Sequence, residues 1–264
     1  MIDLHVHILP DLDDGARDMD ESLEMAEIAL ESGVDTIVAT PHSNQEGRFE
    51  NYCSAELTQV YQEFCSRIKE ERLPITILHG MEIFASEEIG ERVSAGMLMG
   101  LNHSKYYLME FPFEADPWWM GERVEDLLAV GKIPLIAHPE RYEAVQDYPT
   151  LVYEWLRMGC LTQVNKGSLF GKFGRRPQQA VEILLQNDLV TCVASDAHSP
   201  YMRTTYMGDA EGYLEEVFGD RKAYLLLTKN PETIIRNGRI SPHGRMPEKR
   251  RWYYWSGQNI EPVV

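Results

Sequence analysis

The sequence predicts an α/β protein built as a parallel β/α barrel. Seven short apolar runs rich in β-branched residues recur along the chain, and helical patterns separate them. This alternation is typical of parallel strands, because each parallel pair requires a crossover connection. Seven repeats over about 200 residues favour a barrel related to the (β/α)8 type over an open doubly wound sheet, which is the alternative. The predicted strands span residues 2–7, 36–40, 75–81, 106–111, 133–137, 161–164 and 190–194.

The first helix has the clearest boundaries. Asp18 can cap its N-terminus, and Glu21 three residues later completes a capping-box pattern. Apolar residues then repeat at helical spacing until Gly33, which predicts the end of the helix. The other predicted helices span residues 54–71, 86–95, 118–130, 149–158, 177–187, 209–218 and 231–236.

The domain organisation follows from the lack of linker-like segments. No stretch rich in Gly, Pro or Ser interrupts residues 1–240, which we expect to form one domain. Residues 241–264 form a basic and aromatic tail that contains Trp252-Tyr253-Tyr254-Trp255. Two interpretations of this tail stay open: its aromatic side chains pack on the domain's own surface, or they contact a partner or an anionic membrane.

Composition and charge exclude several classes of protein. The 42 acidic and 25 basic side chains give a net charge of −17, which repels phosphate backbones and argues against nucleic-acid binding. No apolar run approaches the roughly 20 residues of a membrane span, and the N-terminus lacks the pattern of a signal peptide. The 4 cysteines form no CxxC pair and are expected to be reduced thiols. We therefore expect a cytoplasmic protein.

Most predicted strands deliver a metal-binding side chain at the C-terminal end, which is where a β/α barrel carries its active site. Strand side chains alternate, so His5 and His7 point the same way, and so do Asp196 and His198. Six of the seven strands end in His, Asp or Glu. In chain order the candidate ligands are His5, His7, His42, Glu82, Glu110, His138, Asp196 and His198.

This mixture of imidazole and carboxylate groups indicates Zn, Mn or Fe rather than Mg or Ca. Glu82 has two oxygens and can bridge two metals, which could hold a hydroxide between them. Each residue alone is more often structural than metal-binding. Their recurrence at the same end of successive strands predicts a polynuclear metal site.

Other catalytic patterns are missing from the sequence. A cysteine phosphatase needs an Arg six positions after its Cys, and none of the 4 cysteines is followed by one at that spacing. The chain also has no P-loop, no G-x-S-x-G and no GxGxxG. We assign no role to His79, which should point away from the site, nor to His103 and His243. The residues six positions after the four cysteines are Gln59, Glu71, Lys166 and His198.

At its strand ends the sequence resembles the PHP (polymerase and histidinol phosphatase) superfamily, over about residues 1 to 238. Within it, the chain is similar to the CpsB/YwqE-type tyrosine-protein phosphatases of bacterial capsule and exopolysaccharide operons. The motifs that carry the resemblance are residues 1–15 (MIDLHVHILPDLDDG), Thr40-Pro41-His42, Gly80-Met81-Glu82-Ile83, His138-Pro139-Glu140-Arg141 and Ser195-Asp196-Ala197-His198.

The resemblance implies a distorted (β/α)7 barrel that holds three divalent metals, typically manganese, with iron, zinc or magnesium as alternatives. Asp14 and Glu110 stand where many PHP members have His, and acids at both positions match the tyrosine-phosphatase branch. Carried over residue by residue, the implied ligands are His5, His7, Glu82 and Asp196 for the first metal, Glu82, Glu110 and His138 for the second, and Asp14, His42 and His198 for the third.

The implied reaction is hydrolysis of phosphotyrosine by in-line attack of a metal-activated hydroxide. We expect Arg141 and Arg203 to bind the phosphoryl oxygens, because a guanidinium fork matches phosphate geometry. His42 or a metal-bound water could assist the leaving tyrosyl oxygen. The alternatives are that Arg203 is a solvated loop residue and that Arg141 forms a structural pair with Glu140 or Glu143.

The resemblance also implies a substrate, the phosphorylated tyrosine-rich tail of a membrane-associated kinase that controls capsule chain length. Such a tail needs an open site, with aromatic walls from Trp118, Trp119 or Tyr201, unless these are packing residues. Three other functions stay open: a phosphatase of small phosphomonoesters such as histidinol phosphate, a non-catalytic metal-containing binder of the kinase tail, and a metal-dependent amidohydrolase. The last is disfavoured because Glu82 and Glu110 occupy places where a carboxylated Lys is common.

Overall fold

The structure, a computed structural model, describes residues 1–247, in which parallel strands form a barrel. The strands form two hydrogen-bonded ladders, in the orders β1-β2-β4 and β3-β5-β6-β7-β8-β9, and every pairing is parallel. In chain order the strands are β1 (Ile2–Val6), β2 (Thr36–Ala39), β3 (His42–Ser43), β4 (Thr76–His79), β5 (Glu82–Phe84), β6 (Tyr106–Glu110), β7 (Ile133–Ala137), β8 (Leu161–Asn165) and β9 (Cys192–Ala194).

The barrel has seven strand positions, as the distorted (β/α)7 prediction required. Two positions are shared by two short strands each, β2 with β3 and β4 with β5, where the sequence predicted one continuous strand. The segment after β9 closes the barrel against β1. Asp196 N donates to His5 O at 2.9 Å, and His7 N donates to Ala197 O at 2.9 Å. The closure brings the C-terminal end of β1 beside that of β9.

The two interrupted strand positions have local causes. Pro41 has no backbone N–H for the ladder. A Cβ at Gly80 would lie 2.9 Å from Val38 Cγ1, so the chain approaches its neighbour too closely there for a side chain. Beyond the breaks, His42 and Glu82 pair in register between β3 and β5. The breaks therefore place one predicted ligand directly beside another.

The predicted helices all form in the structure, with ends within three residues of the predicted ones. Three short helices, Glu143–Asp147, Lys166–Leu169 and Asp220–Tyr224, were not predicted. The short elements also include 3-10 turns at Leu101–His103 and Pro139–Arg141 and a π-helical segment at Leu225–Lys229. The α-helices are α1 (Met19–Glu31), α2 (Ala55–Glu70), α3 (Ile89–Ser94), α4 (Pro117–Ala129), α5 (Glu143–Asp147), α6 (Thr150–Met158), α7 (Lys166–Leu169), α8 (Arg175–Gln186), α9 (Gly208–Phe218), α10 (Asp220–Tyr224) and α11 (Asn230–Ile235).

The start of α1 follows the prediction in part. The Asp18 side chain accepts a hydrogen bond from Glu21 N at 2.9 Å and so caps the helix. Glu21 does not complete the capping box, because its carboxylate accepts from Arg17 N at 2.9 Å and also pairs with the Arg17 guanidinium. Gly33 follows the helix with a φ of 82°, which suits glycine.

Two apolar clusters support the barrel. The larger one lies between the strands and the surrounding helices, and the smaller one includes Leu108, Leu161 and Ile234 of α11. Leu108 precedes Glu110 by two residues on β6, and Leu161 precedes Gln163 by two on β8, so each pair points to the same side of its strand. The smaller cluster therefore forms an apolar floor beneath the polar C-terminal ends of the strands.

The predicted boundary at residue 240 stays a prediction. Ile240 packs against the smaller apolar cluster, and Arg245 N donates to Asn187 O at 2.8 Å. The aromatic stretch Trp252 to Trp255 lies outside the described residues, so both interpretations of the tail stay open. Within residues 1–247, no helix combines the length and the apolar character that crossing a bilayer requires.

Candidate metal centre

A cavity of about 380 Å³, here called the site cavity, opens at the C-terminal ends of the strands. Its wall includes seven of the nine predicted metal ligands and both predicted arginines, Arg141 and Arg203, and the other two ligands, His5 and His7, are buried next to it. The seven ligands in the wall are Asp14, His42, Glu82, Glu110, His138, Asp196 and His198.

Glu82 lies at the middle of this arrangement and is completely buried. Its Oε1 is 3.2 Å from His5 Nε2 and 3.0 Å from His138 Nε2. Its Oε2 is 3.3 Å from His7 Nε2 and 2.8 Å from His42 Nδ1. One carboxylate from β5 therefore faces four imidazoles that arrive from three other strand positions.

A second set of contacts surrounds Asp14 and Asp196. Asp14 Oδ1 is 3.4 Å from His42 Nε2 and 3.5 Å from His198 Nε2. Asp196 Oδ1 is 3.5 Å from His5 Nε2 and 3.6 Å from His198 Nδ1. Residues from the loop after β1 and the segment after β9 thus complete the wall of the cavity.

The ligand atoms form three groups within which all atoms lie no more than 4.8 Å apart. These groups differ from the sets implied by the family resemblance. His7 also lies with the Asp14 group, and Glu82 is absent from the group of His5, His7 and Asp196. His42 takes the place of His138 beside Glu82 and Glu110, and His138 belongs to none of the three groups. The assignment of ligands to individual metals stays a prediction. The three groups are His7, Asp14, His42 and His198; His5, His7 and Asp196; and His42, Glu82 and Glu110.

The donor chemistry fits divalent cations. His5 Nε2 and His7 Nε2 face each other at 3.2 Å in a buried position. His42 Nδ1 lies 2.8 Å from Glu82 Oε2, but the two atoms do not form a hydrogen bond, and Oε2 has no other hydrogen-bond partner among the described residues. Buried polar atoms are normally paired, and closely spaced nitrogen and oxygen atoms without such pairing suit a metal ion between them.

The pKa values of the two central glutamates, Glu82 and Glu110, shift in opposite directions. Burial alone would raise the pKa of Glu82, but the charges of His5 and His42 outweigh it and hold that pKa well below its usual value. Burial and the charges of Glu82 and Asp196 raise the pKa of Glu110 well above its usual value. A cation near Glu110 would offset this crowding of negative charge.

Two residues that sequence reasoning missed orient the buried histidines. Asp13 Oδ2 lies 2.7 Å from His7 Nδ1, and Gln163 Oε1 lies 3.0 Å from His5 Nδ1. These contacts turn the Nε2 atom of each ring toward the centre, as the outer partners of metal-binding histidines commonly do. Gln163 stands out as a polar residue within the buried strand β8, which was the available signal.

Glu140 is a third missed residue. Its Oε1 accepts hydrogen bonds from Asn165 N at 3.0 Å and from Ser168 Oγ at 2.6 Å, which ties the end of β7 to the end of β8. Burial raises the pKa of Glu140 to about 7. Arg141 does not form the alternative pair with Glu140 or Glu143, because its ion-pair partner among the described residues is Asp196, 3.7 Å away.

Arg203 is not the solvated loop residue of the alternative interpretation. Its guanidinium pairs with the Asp196 carboxylate, and its Nε donates to Asp196 O at 3.1 Å. His138, Asp196 and Arg203 have φ angles of 31°, 50° and 49°, in the left-handed region that residues other than glycine rarely adopt. Such strain persists only where the surrounding structure enforces it, and it concentrates at functional sites.

The aromatic walls differ from the prediction. Trp118 is 80% exposed in the first turn of α4, Trp119 packs on Phe111 at a ring distance of 6.2 Å, and Tyr201 is 66% exposed. None of these three predicted residues lines the site cavity. The aromatic side chains in its wall are Phe84, Phe111 and Phe113.

Comparisons with known proteins find relatives over most of the chain. A family model described as "Capsular polysaccharide synthesis, CpsB/CapC" matches residues 1–236. The tyrosine-protein phosphatase YwqE of Bacillus subtilis is 38% identical over 251 residues, covering 95% of this chain and 98% of YwqE. The tyrosine-protein phosphatase CpsB of Streptococcus pneumoniae is 32% identical over 240 residues, covering 89% of this chain and 98% of CpsB.

A solved structure extends the similarity to three dimensions. It belongs to a study of YwqE from Bacillus subtilis and CpsB from Streptococcus pneumoniae, described as unique metal-dependent tyrosine phosphatases. It matches this chain with a TM-score of 0.88 at 38% identity, covering 95% of this chain and 100% of the other.

Proposed function

This chain belongs to the CpsB/CapC family, and we propose that it is a metal-dependent protein-tyrosine phosphatase. The observation that carries the proposal is the convergence of nine histidine and acidic side chains with three arginines, Arg48, Arg141 and Arg203, at one cavity. The named relatives, which are tyrosine-protein phosphatases at 32% and 38% identity, support the same reaction.

We propose three divalent ions as cofactors, with manganese first and iron, zinc or magnesium as alternatives. The three overlapping groups of ligand atoms support this number. Nitrogen and oxygen ligands accept several of these metals, and the sequence pattern alone does not choose among them. When bound, the ions supply Lewis acidity and lower the pKa of water at the site. The residues that would hold them are His5, His7, Asp14, His42, Glu82, Glu110, His138, Asp196 and His198.

Arg141 and Arg203 bind the phosphoryl group of the substrate in this proposal. They reach the site cavity from two different strand positions, after β7 and after β9, and both guanidinium groups lie beside Asp196. A planar guanidinium matches phosphate oxygens and stabilises the charge that develops during transfer. Both guanidinium groups contact the same oxygen of Asp196, Oδ2, which suits one phosphate held by both arginines beside the metal ligands.

His42 is the proposed assistant for the leaving tyrosyl oxygen. It is only partly buried and lines the cavity, while most of the other imidazoles are buried. The free phenol has a pKa near 10, so the leaving group needs less protonation than an alkyl alcohol would. His42 therefore combines two proposed roles, as a metal ligand and as a group near the leaving oxygen.

The proposed substrate is the phosphotyrosine-containing tail of a membrane-associated tyrosine kinase that controls capsular polysaccharide synthesis. The family description and the relatives' names support the pathway and the phosphorylated residue. The cavity is open to solvent on one side and has Phe113, which is 40% exposed, in its wall. We propose that the protein acts in the cytoplasm, which four free thiols support, because an oxidising compartment favours disulfides.

Turnover of two substrates tests the proposal. The purified protein is stripped of metal, reloaded with manganese and assayed for phosphate release from a phosphotyrosine peptide and from histidinol phosphate. We expect manganese to restore turnover and the peptide to be hydrolysed more efficiently. Equal or better turnover of histidinol phosphate would favour a phosphatase of small phosphomonoesters. Peptide binding without phosphate release would favour a non-catalytic binder.

A further inference from the structure

We propose that Phe173 is a positioning residue that holds Arg141 and Arg203 in place for the phosphoryl group of the substrate. This inference rests on the proposed function, in which the two arginines bind phosphate. Phe173 lies in the loop between α7 and α8, outside the wall of the site cavity, whereas both arginines are part of that wall. In this proposal Phe173 acts through the two arginines.

The Phe173 ring contacts both guanidinium groups. The guanidinium carbon of Arg141 lies 4.4 Å from the Phe173 ring centroid and 4.4 Å from that of Phe113, so the arginine is sandwiched between two aromatic faces. The guanidinium carbon of Arg203 lies 5.7 Å from the Phe173 centroid. A cation within about 6 Å of a ring face is attracted by the ring's quadrupole. Phe173 is thus the ring that the two arginines share.

The position of the Phe173 ring depends on Gly167 in α7. A Cβ at Gly167 would lie 2.8 Å from Phe173 Cε2 and 3.2 Å from Cζ, so the ring packs directly on the glycine backbone. Lys172 N donates to Gly167 O at 2.9 Å, which folds the loop back onto α7. The small residue and the loop hydrogen bond together fix the ring that meets the arginines.

A buried lysine links the same helix to the segment that bears Arg203. The Lys166 side chain is 3% exposed, its ammonium contacts Tyr206 O, and it lies 3.6 Å from Asp209 Oδ1. Lys166 thus ties α7 to the chain between β9 and α9. Phe173, in the loop after α7, contacts Arg141, which follows β7, and Lys166 contacts the segment after β9, which bears Arg203. The helix and its loop therefore contact both segments that supply an arginine.

This arrangement answers a physical problem of the site. Two guanidinium groups that converge on one phosphate repel each other, and free arginine side chains would lose rotamer freedom when the phosphate binds. The Phe173 ring, which both guanidinium groups contact, attracts both charges and, together with their pairing to Asp196, limits their movement before the substrate arrives. Removing the ring should weaken phosphate binding while leaving the fold and the metal content unchanged.

The test compares three variants of the manganese-loaded protein. Phe173→Leu removes the aromatic face, Phe173→Tyr retains it, and Phe170→Leu is a matched control in the same loop, where the ring packs on Tyr213 at 5.8 Å. Steady-state kinetics on a phosphotyrosine peptide and calorimetric titration with inorganic phosphate are the measurements. We expect Phe173→Leu to lower phosphate affinity and kcat/KM about ten-fold, and Phe173→Tyr and Phe170→Leu to stay near wild type. Equal losses in Phe173→Leu and Phe170→Leu, or no rescue by tyrosine, would overturn the inference.

A double-mutant cycle separates this inference from the function on which it rests. In an Arg141→Ala background, Phe173→Leu should cost clearly less than in the wild type, because interacting residues are not additive. A fully additive loss would contradict the positioning role. If Arg141→Ala and Arg203→Ala both leave phosphate affinity unchanged, the proposed function of the arginines fails. If the two arginine variants weaken phosphate affinity and Phe173→Leu does not, only the proposed role of Phe173 fails.

Gly167→Ala provides a second route should Phe173→Leu lower the melting temperature. The added Cβ must displace the Phe173 ring without removing it, so the same loss of phosphate affinity is expected. Unchanged phosphate affinity in Gly167→Ala, with the metal content of the wild type, would contradict the inference.

Discussion

The carboxylate of Asp13 lies 2.7 Å from His7 Nδ1 and fixes the direction in which that imidazole faces. The same oxygen accepts a hydrogen bond from His42 N at 2.8 Å, and the other carboxylate oxygen accepts one from Gly15 N at 2.9 Å. One buried acid therefore aligns two predicted metal ligands and the loop that carries Asp14. The orientation of these predicted ligands therefore depends on a side chain that does not itself face the centre of the site.

Asp13→Asn should weaken metal binding because both carboxylate oxygens of Asp13 accept hydrogen bonds. In either orientation, the NH2 group of asparagine would face a donor and one of these hydrogen bonds would be lost. Changes to such outer partners typically cost 10- to 100-fold in metal affinity. Manganese titration monitored by calorimetry measures the effect. Asp11→Asn, on an exposed residue of the same loop, is the control and should bind manganese like the wild type. Equal affinity in the two variants would show that Asp13 does not orient His7.

Gly15→Ala should disrupt the site, because a Cβ at this position would overlap the His7 carbonyl oxygen and lie 2.5 Å from His7 Cβ. We expect a lower melting temperature and a lower content of bound manganese. Gly121→Ala is the matched control, since nothing lies within 4 Å of its added Cβ on α4. That variant should gain about 0.5–1 kcal/mol of stability from the improved helix propensity. Normal manganese content in Gly15→Ala would refute the steric argument.

Arg141→Ala should reduce turnover of a phosphotyrosine peptide by about 10²- to 10³-fold, on the scale of removing one charge-stabilising donor from an active site. Steady-state kinetics with saturating manganese measures the loss. Arg157→Ala removes an exposed arginine that lies 3.4 Å from Glu154, and it should leave the rate unchanged. A rate for Arg141→Ala within two-fold of the wild type would make Arg141 a structural residue.

His79 gives a pH dependence of stability that is separate from the metal centre. Burial, with a smaller effect from His103, lowers the pKa of His79 to about 4, and its ring stacks on Tyr61 at 4.5 Å. Between pH 6.5 and 4 the unfolded chain binds more protons at this residue than the folded one, so stability falls as the pH falls through that window. The contribution is on the order of 1–3 kcal/mol.

His79→Phe keeps the stacked ring and removes the titration. The variant should therefore lose less stability than the wild type between pH 7 and pH 5, as measured by urea denaturation at both values. His243→Phe, on an exposed histidine, should behave like the wild type. Parallel losses in His79→Phe and the wild type would contradict the assigned cause.

The sequence predicted which side chains meet at the site cavity because the geometry of a parallel barrel is simple. Residues at the C-terminal ends of successive strands must meet, and the alternation of side chains pairs His5 with His7. Asp196 and His198 lie in the segment after β9, where Asp196 has a φ of 50°, so strand alternation does not account for their pairing. Asp14 lies in a loop, and spacing alone did not identify it. The resemblance to a known family was needed to add it.

Other features depend on details that a residue pattern does not contain. Asp13 was missed because its role follows from the backbone path of a loop, where neighbouring acids look equivalent in the sequence. The strand break at Gly80 follows from a close approach to Val38, a contact between two distant strands. Trp118 was one of three candidates for the cavity's aromatic wall, but it lies in the first turn of α4 and is exposed, while Phe113 in the preceding loop lines the cavity.

Anomalous diffraction from a crystal of the manganese-loaded protein tests the central claim most directly, because it locates each metal without reference to activity. We expect three anomalous peaks inside the site cavity, each within coordination distance of side chains from the set that surrounds Glu82. Peaks only at the protein surface, or none near Glu82, His138 and Asp196, would contradict it.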